Sequence, residues 1–242
     1  MKKTSTEDLR ILKIKAIIYG KAGVGKTYTA RSLDSKKTLI ISAESGLLPL
    51  RGMKFEVWEP ESWNEMGHIL LELKKPENEN RFDNVFIDSL TELNEMAKEQ
   101  IVKKDRPALG KDLGKVYDDL MTQQDWGLLA TRMTRFIRAY RDLSYNVIFT
   151  CLEDTHKNDM TGELTFTPSI NGKLALNING YFDEVFRLLT REEDDKINRY
   201  FLTAKTEKSI AKDRSGALNR FEHADWKTVF GKIHGEEKRS VA

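Results

Sequence analysis

The sequence has one cysteine, Cys151, among 242 residues. That excludes a disulfide framework and makes a reducing cytosol the expected setting. The four histidines, His68, His156, His223 and His234, are scattered without the spacing of a structural zinc site. Neither sign of charge is in excess, since 40 Lys and Arg against 38 Asp and Glu leave +2. Bulk charge therefore does not announce a nucleic-acid partner, and any such surface must be local. No apolar run reaches membrane-spanning length, and the opening MKKTSTEDLR lacks the apolar stretch of a signal peptide. Internal repeats and a dividing linker are both missing. What is left is a chain that is 39% hydrophobic and 32% charged. Its length suits one domain over 1–242, with loose tails at 1–10 and 235–242.

Strand-like and helix-like stretches alternate along this chain. Residues 11–19 become continuously apolar, like a strand entering a buried sheet, and 26–34 read as a helix. Strands are expected at 37–42, 55–60, 84–90 and 145–151. Ser62 is placed to cap a helix to about Lys75, and another helix follows the 84–90 strand to about Lys104. Between 125 and 141, Trp126, Leu129, Met133, Phe136, Ile137 and Tyr140 recur at helical spacing, so Trp126 and Phe136 are expected in the core. The polar stretch 152–172 has room for a hairpin, 184–190 and 199–205 read as paired late strands, and a helix over 224–233 closes the chain. The pattern predicts an α/β fold: a mainly parallel twisted sheet flanked by helices, with antiparallel C-terminal strands.

The most specific signal is GKAGVGKT, residues 20–27, set between an apolar strand and a helix. It fits G-x-x-x-x-G-K-[ST], whose glycines let backbone N–H groups turn toward phosphate oxygens at a helix N-terminus. Gly20, Lys21, Ala22, Gly23, Val24, Gly25, Lys26, Thr27 and Tyr28 are the expected nucleotide-binding residues. Lys26 would reach the β- and γ-phosphates, and Thr27 would offer its hydroxyl to Mg²⁺. A second metal anchor is expected at Asp88, at the C-terminal end of the buried strand NVFID. Hydrolysis also needs a group that orients water. The residue after Asp88 is Ser89, so that group must come from elsewhere, and Glu44 in SAESG, also just past a strand end, is the candidate.

The order strand–GKAGVGKT, strand–SAESG, strand–FIDSL resembles the RecA-like P-loop ATPases. The resemblance implies a RecA-like core, ATP and Mg²⁺ as cofactors, and a sensor position at Thr150 or Cys151. AKDRSG at 211–216 is similar to the lysine-x-arginine finger of RecA-like replicative helicases and clock ATPases. By that match Lys212 and Arg214 would act in trans on a neighbouring subunit's γ-phosphate. More narrowly, residues 12–220 resemble the phage-encoded RecA-like ATPases of single-strand annealing and recombination, on DWG at 125–127 and GKL at 172–174. Implied partners are single-stranded DNA, further copies of the chain in a ring or filament, and a phage single-strand-binding protein, in the bacterial host cytoplasm. The family's DNA-binding loops fall here at about 105–124, with Lys103, Lys104, Arg106, Lys111 and Lys115 close by or within it, and at 152–172, with His156 and Lys157. Phosphate contacts there would release counterions and make binding salt-dependent. The chain departs from its relatives in having no separate N-terminal DNA-binding domain and no aromatic-x-x-alanine peptide before the first strand. A helicase loader acting on protein partners is the competing function. A GTPase is disfavoured, since no N-K-x-D occurs and no glycine lies three residues beyond Asp88.

Overall fold

The computed structural model describes residues 13–105, 121–170, 173–193 and 195–236. Its strands are β1 (Lys15–Gly20), β2 (Thr38–Ser42), β3 (Glu56–Trp58), β4 (Asn84–Asp88), β5 (Asn146–Lys157), β6 (Leu164–Pro168), β7 (Glu184–Glu193), β8 (Lys196–Leu202), β9 (Lys212–Asp213) and β10 (Phe221–His223). The helices are α1 (Trp63–Leu73), α2 (Leu90–Gln100), α3 (Gln123–Arg141), α4 (Lys173–Asn177) and α5 (Trp226–His234).

Among the described residues the strands join one sheet in the order β10-β8-β7-β1-β5-β4-β2-β3, with β6 on β5 and β9 on β7. The stretch from β7 to β3 is parallel, while β8 and β10 are antiparallel. This is the mainly parallel sheet with antiparallel C-terminal strands that the pattern predicts. β1, β2 and β4 are buried along their whole length, as continuous apolar strands covered on both faces must be. Alternation assigns the faces. Ile17, Tyr19, Ile41, Ile87 and Phe149 meet residues of α1, α2 and α3, while Ile18, Ile40, Phe86, Ile148 and Phe186 meet Ala30, Trp226 and Val229. Full burial of one such side chain contributes about 1.5–3 kcal/mol, so a charge inserted on either face would break the layer.

Two local expectations change. The segment after the phosphate loop is a 3₁₀ turn over Thr27–Ser32 rather than a helix over 26–34. Thr29 Oγ1 donates to the Lys26 carbonyl at 2.7 Å and Ser32 Oγ to the Thr29 carbonyl at 2.8 Å. These side-chain bonds compete with regular α-helical pairing. Trp126 is 42% exposed, although Leu129, Met133, Phe136, Ile137 and Tyr140 are buried as expected. In the first turn of α3 a capping box between Thr122 and Asp125 turns Asp125 inward instead. The hairpin for which the polar stretch 152–172 has room is present, since β5 runs on to Lys157 and the chain turns back as β6 from Leu164.

The C-terminal helix α5 is capped by Asp225, which accepts from the Thr228 N–H at 2.7 Å, and ends at Gly235 in the left-handed region. It is tied to the turn after the phosphate loop. The Trp226 indole donates to Thr29 Oγ1 at 3.1 Å, and its backbone N–H to Ser32 Oγ at 2.8 Å. Of the expected tails at 1–10 and 235–242, residues 1–10 and 237–242 lie outside the described residues, while Gly235 and Glu236 bond back to the end of α5. No helix among the described residues is long and apolar enough to cross a membrane.

Candidate active site

The carboxyl ends of β1, β2, β4 and β5 form one rim, and the topology sets the groups along it. β5 lies between β1 and β4, so a residue near its end can reach both neighbours. Gly20 ends β1 where an added Cβ would meet the Leu188 carbonyl at 2.9 Å, and Gly25 has φ +97° with Arg199 Nε 2.2 Å from the Cβ position. Both positions therefore need glycine. Lys26 folds back over the loop, its ammonium donating to the carbonyls of Gly20 at 3.1 Å and Lys21 at 3.0 Å. Burial lowers its pKa from the usual lysine value, against the raising effect of Asp88 and Glu44.

Asp88 is 2% exposed and sits at the centre of the site. The Thr27 hydroxyl donates to its Oδ2 at 2.6 Å, and the Thr150 hydroxyl donates to its Oδ1. Asp88 shares the sheet face of Phe86, and Thr150 that of Ile148, so side-chain alternation brings them together on the phosphate-loop side. Cys151 points the other way. Its sulfur lies 3.3 Å from Thr91 Oγ1 among α2-side core residues, and burial pushes the thiol up to about 12. Of the two sensor candidates, Thr150 alone touches the site. The Asp88–Ser89 peptide is cis, and Ser89 donates its hydroxyl to Glu44 Oε1. Glu44 is exposed, two residues past Ser42, which pairs in register with Asp88. Ser42 Oγ is buried without a hydrogen-bond partner.

That orphaned hydroxyl, the Thr27 hydroxyl and the Asp88 carboxylate make a hard-oxygen set, which fits Mg²⁺ and its waters. The residues expected to bind nucleotide and metal, Gly20 to Tyr28 and Asp88, thus gather on one rim with Glu44. A family model described as an AAA domain matches residues 12–215. The chain belongs to the AAA domain family. As a member of that family it is a P-loop ATPase, with the RecA-like arrangement of sheet and helices. No curated protein matches it. Among solved structures it is similar to a KaiC-like protein from the hyperthermophilic archaeon Pyrococcus horikoshii OT3. The identity is 13%, covering 81% of this chain and 80% of that one, with a TM-score of 0.40.

Lys212 and Arg214 of this AAA domain are not brought to the rim. β9 pairs with the beginning of β7, whose Glu184 lies opposite Ala16 near the start of β1. The phosphate loop begins at the other end of β1, about 13 Å away along the strand. The Lys212 ammonium donates to the carbonyls of Asn179 at 2.7 Å and Phe182 at 2.8 Å. Burial and the nearby Arg214 lower its pKa. Arg214 donates to Asp183 Oδ1 at 2.7 Å and is mostly exposed. Within one chain the pair cannot touch the phosphates. Of the DNA-loop residues, Lys103 pairs with Glu99 at 2.9 Å, while Arg106, Lys111 and Lys115 lie outside the described residues. His156 and Lys157 stand exposed on the β5–β6 hairpin.

Two features of the site had no motif to announce them. Arg187 on β7 grips Glu153 through two bonds of 2.6 and 3.1 Å, fixing the root of the hairpin beside the loop. Arg199 on β8 donates to the Val24 carbonyl at 3.1 Å. The available signal was strand alternation, which puts Arg199 on the face of Phe201.

Proposed function

We propose that the protein is a Mg²⁺-dependent ATPase of the RecA-like class that binds single-stranded DNA, self-associates, and acts in phage DNA recombination or single-strand annealing. The observation that carries the catalytic part is the Thr27–Asp88–Thr150 chain of hydroxyl and carboxylate contacts, with Lys26 on one side and Glu44 on the other. The loop N–H groups and Lys26 hold the triphosphate. Thr27 and Asp88 would hold Mg²⁺, which when bound would supply charge neutralisation at the triphosphate. Glu44, its orientation set by Ser89, accepts the proton of the attacking water. Thr150 holds the Asp88 carboxylate in one orientation and occupies the position that detects the γ-phosphate. Lys212 and Arg214 complete the charge stabilisation from an adjoining subunit. ATP binding then closes the subunit interface and hydrolysis releases it.

The support for DNA is the basic run around Lys103, Lys104, Arg106, Lys111 and Lys115, together with a hairpin rooted at the nucleotide rim. The test is the ATPase rate with and without single-stranded DNA, beside particle size with ATP. Stimulation and assembly are expected. A persistent monomer with an unchanged rate rules the reading out.

One observation favours a second reading. The exposed hairpin carries Asp154, Asp159 and Glu163 against His156 and Lys157, a balance that suits a protein partner as well as a phosphate backbone. An ATP-driven helicase loader would use the same site with that surface turned to a protein, and it would show no DNA stimulation.

A further inference from the structure

The groups assigned so far hold phosphate, metal and water, and leave the nucleoside without a seat. Topology gives its direction. Asp88 belongs to β4, beyond β5 on one flank of β1, and Thr27 touches it there. The γ end of a triphosphate lies on that flank. The nucleoside end therefore runs toward the opposite flank of β1, over β7 and β8.

Two side chains stand at the loop on that flank. Tyr28 directly follows Thr27 and is 44% exposed, the one large aromatic of the loop segment left open to solvent among the described residues. Arg199 lies opposite Thr190 on the β7–β8 ladder, two residues beyond the level of Leu188, whose carbonyl abuts Gly20. From there it crosses the loop. Its Nε donates to the Val24 carbonyl at 3.1 Å, and its guanidinium carbon stands 4.5 Å from the centre of the Tyr28 ring. Arg31 approaches the same ring at 5.4 Å.

The arrangement is built rather than incidental. A Cβ at residue 25 would collide with the Arg199 guanidinium, so the glycine that lets phosphate approach also makes room for this arginine. An anchored guanidinium on a half-open phenol is a flat, positively charged surface, and aromatic bases stack on such surfaces whatever their edge pattern. We propose that Tyr28 and Arg199 form the nucleobase platform of the site, holding the purine of a nucleoside triphosphate by its face. The proposal rests on the nucleotide reading above and adds its base-binding half.

The test is calorimetric titration of the wild type and of Y28A, Y28F and R199A with ATP and with inorganic tripolyphosphate, both with Mg²⁺. Wild type is expected to bind ATP at least about tenfold more tightly than tripolyphosphate, a difference of the size base stacking supplies. Y28A and R199A should each lose about tenfold for ATP and less than about twofold for tripolyphosphate, while Y28F, which keeps the ring, stays close to wild type. Equal losses for both ligands would mean that the pair only braces the loop, and the platform falls. An unchanged ATP affinity in Y28A and R199A overturns it too. If wild type binds the two ligands equally, the phosphate site stands and the platform does not. If it binds neither, both readings fail together.

Discussion

The two ends of the central parallel strands face different tasks with similar residues. At the carboxyl rim Lys26, Asp88, Thr150 and Glu44 converge, and their partners are one another or the loop that would hold phosphate. At the amino rim Lys15, Asp183, Glu184, Lys212 and Arg214 also converge. There the cations are turned on the protein itself: Lys15 on the carbonyls of Leu143 and Tyr145, Lys212 on those of Asn179 and Phe182. Polar side chains crowd both rims because strand ends leave backbone groups unpaired. What separates them is whether those groups are consumed internally. Arg214 is the exception at the amino rim, since it is mostly exposed and, among the described residues, is paired with Asp183. If one rim of a copy meets the other rim of its neighbour, the contact is head-to-tail, and it generates rings or filaments.

The largest expected effect tests that meeting. Arg214→Ala should lower the hydrolysis rate by about a thousandfold or more while leaving ATP affinity nearly unchanged. Its folding stability should fall by less than about 1 kcal/mol, the worth of an exposed ion pair. Mixing that variant with Lys26→Ala protomers should restore part of the rate, because each mixed junction can combine an intact loop with an intact arginine. No recovery, or a rate equal to wild type for R214A alone, would remove the trans role. Glu44→Gln should cost about a hundredfold in rate with ATP binding retained. Unaltered turnover in that variant would assign the water-orienting role elsewhere.

Lys212→Met sharpens the contrast between the two finger residues. It strands two backbone carbonyls, so chemical denaturation should show a loss of about 1–3 kcal/mol, more than R214A shows. Equal stabilities would mean that the internal bonds of Lys212 contribute nothing. The smallest effect concerns Glu184, buried on the amino rim, where desolvation and then Asp213 push its carboxyl up to about 9. The folded state holds this proton more tightly than the unfolded chain does. The stability it contributes is complete below the ordinary glutamate range and is lost as pH rises toward 9. Glu184→Gln should therefore melt progressively above wild type as pH increases from 5 to 8, by at least about 2 °C at the upper end. Parallel melting curves across that window would contradict the assignment.

The carboxyl rim could be read ahead of the structure because each of its residues follows an apolar strand directly. The loop after Gly20, Asp88 at the end of NVFID and Glu44 past TLIIS are all placed by strand length alone. Strand alternation could also have chosen Thr150 over Cys151, since it depends only on which face Ile148 and Phe149 take. The amino rim was not readable in that way. That Lys212 lies beside the start of β7 depends on a two-residue strand, β9, too short to leave a periodic signal. The 3₁₀ turn escaped for a related reason: helix propensity is a weak prior, and hydroxyls at 29 and 32 divert the backbone. Arg199 reaches the loop from a residue far along the chain, by a pairing that no local pattern contains.

One consequence of the α5 packing is optical. Trp226 is fully buried with its indole N–H on Thr29, two residues after the loop threonine, so its emission would respond to any rearrangement of that turn. Replacing Trp58, Trp63 and Trp126 with phenylalanine would leave it the sole tryptophan, excited apart from the tyrosines at long wavelength. The protein would then carry an intrinsic, label-free lamp for loading and release.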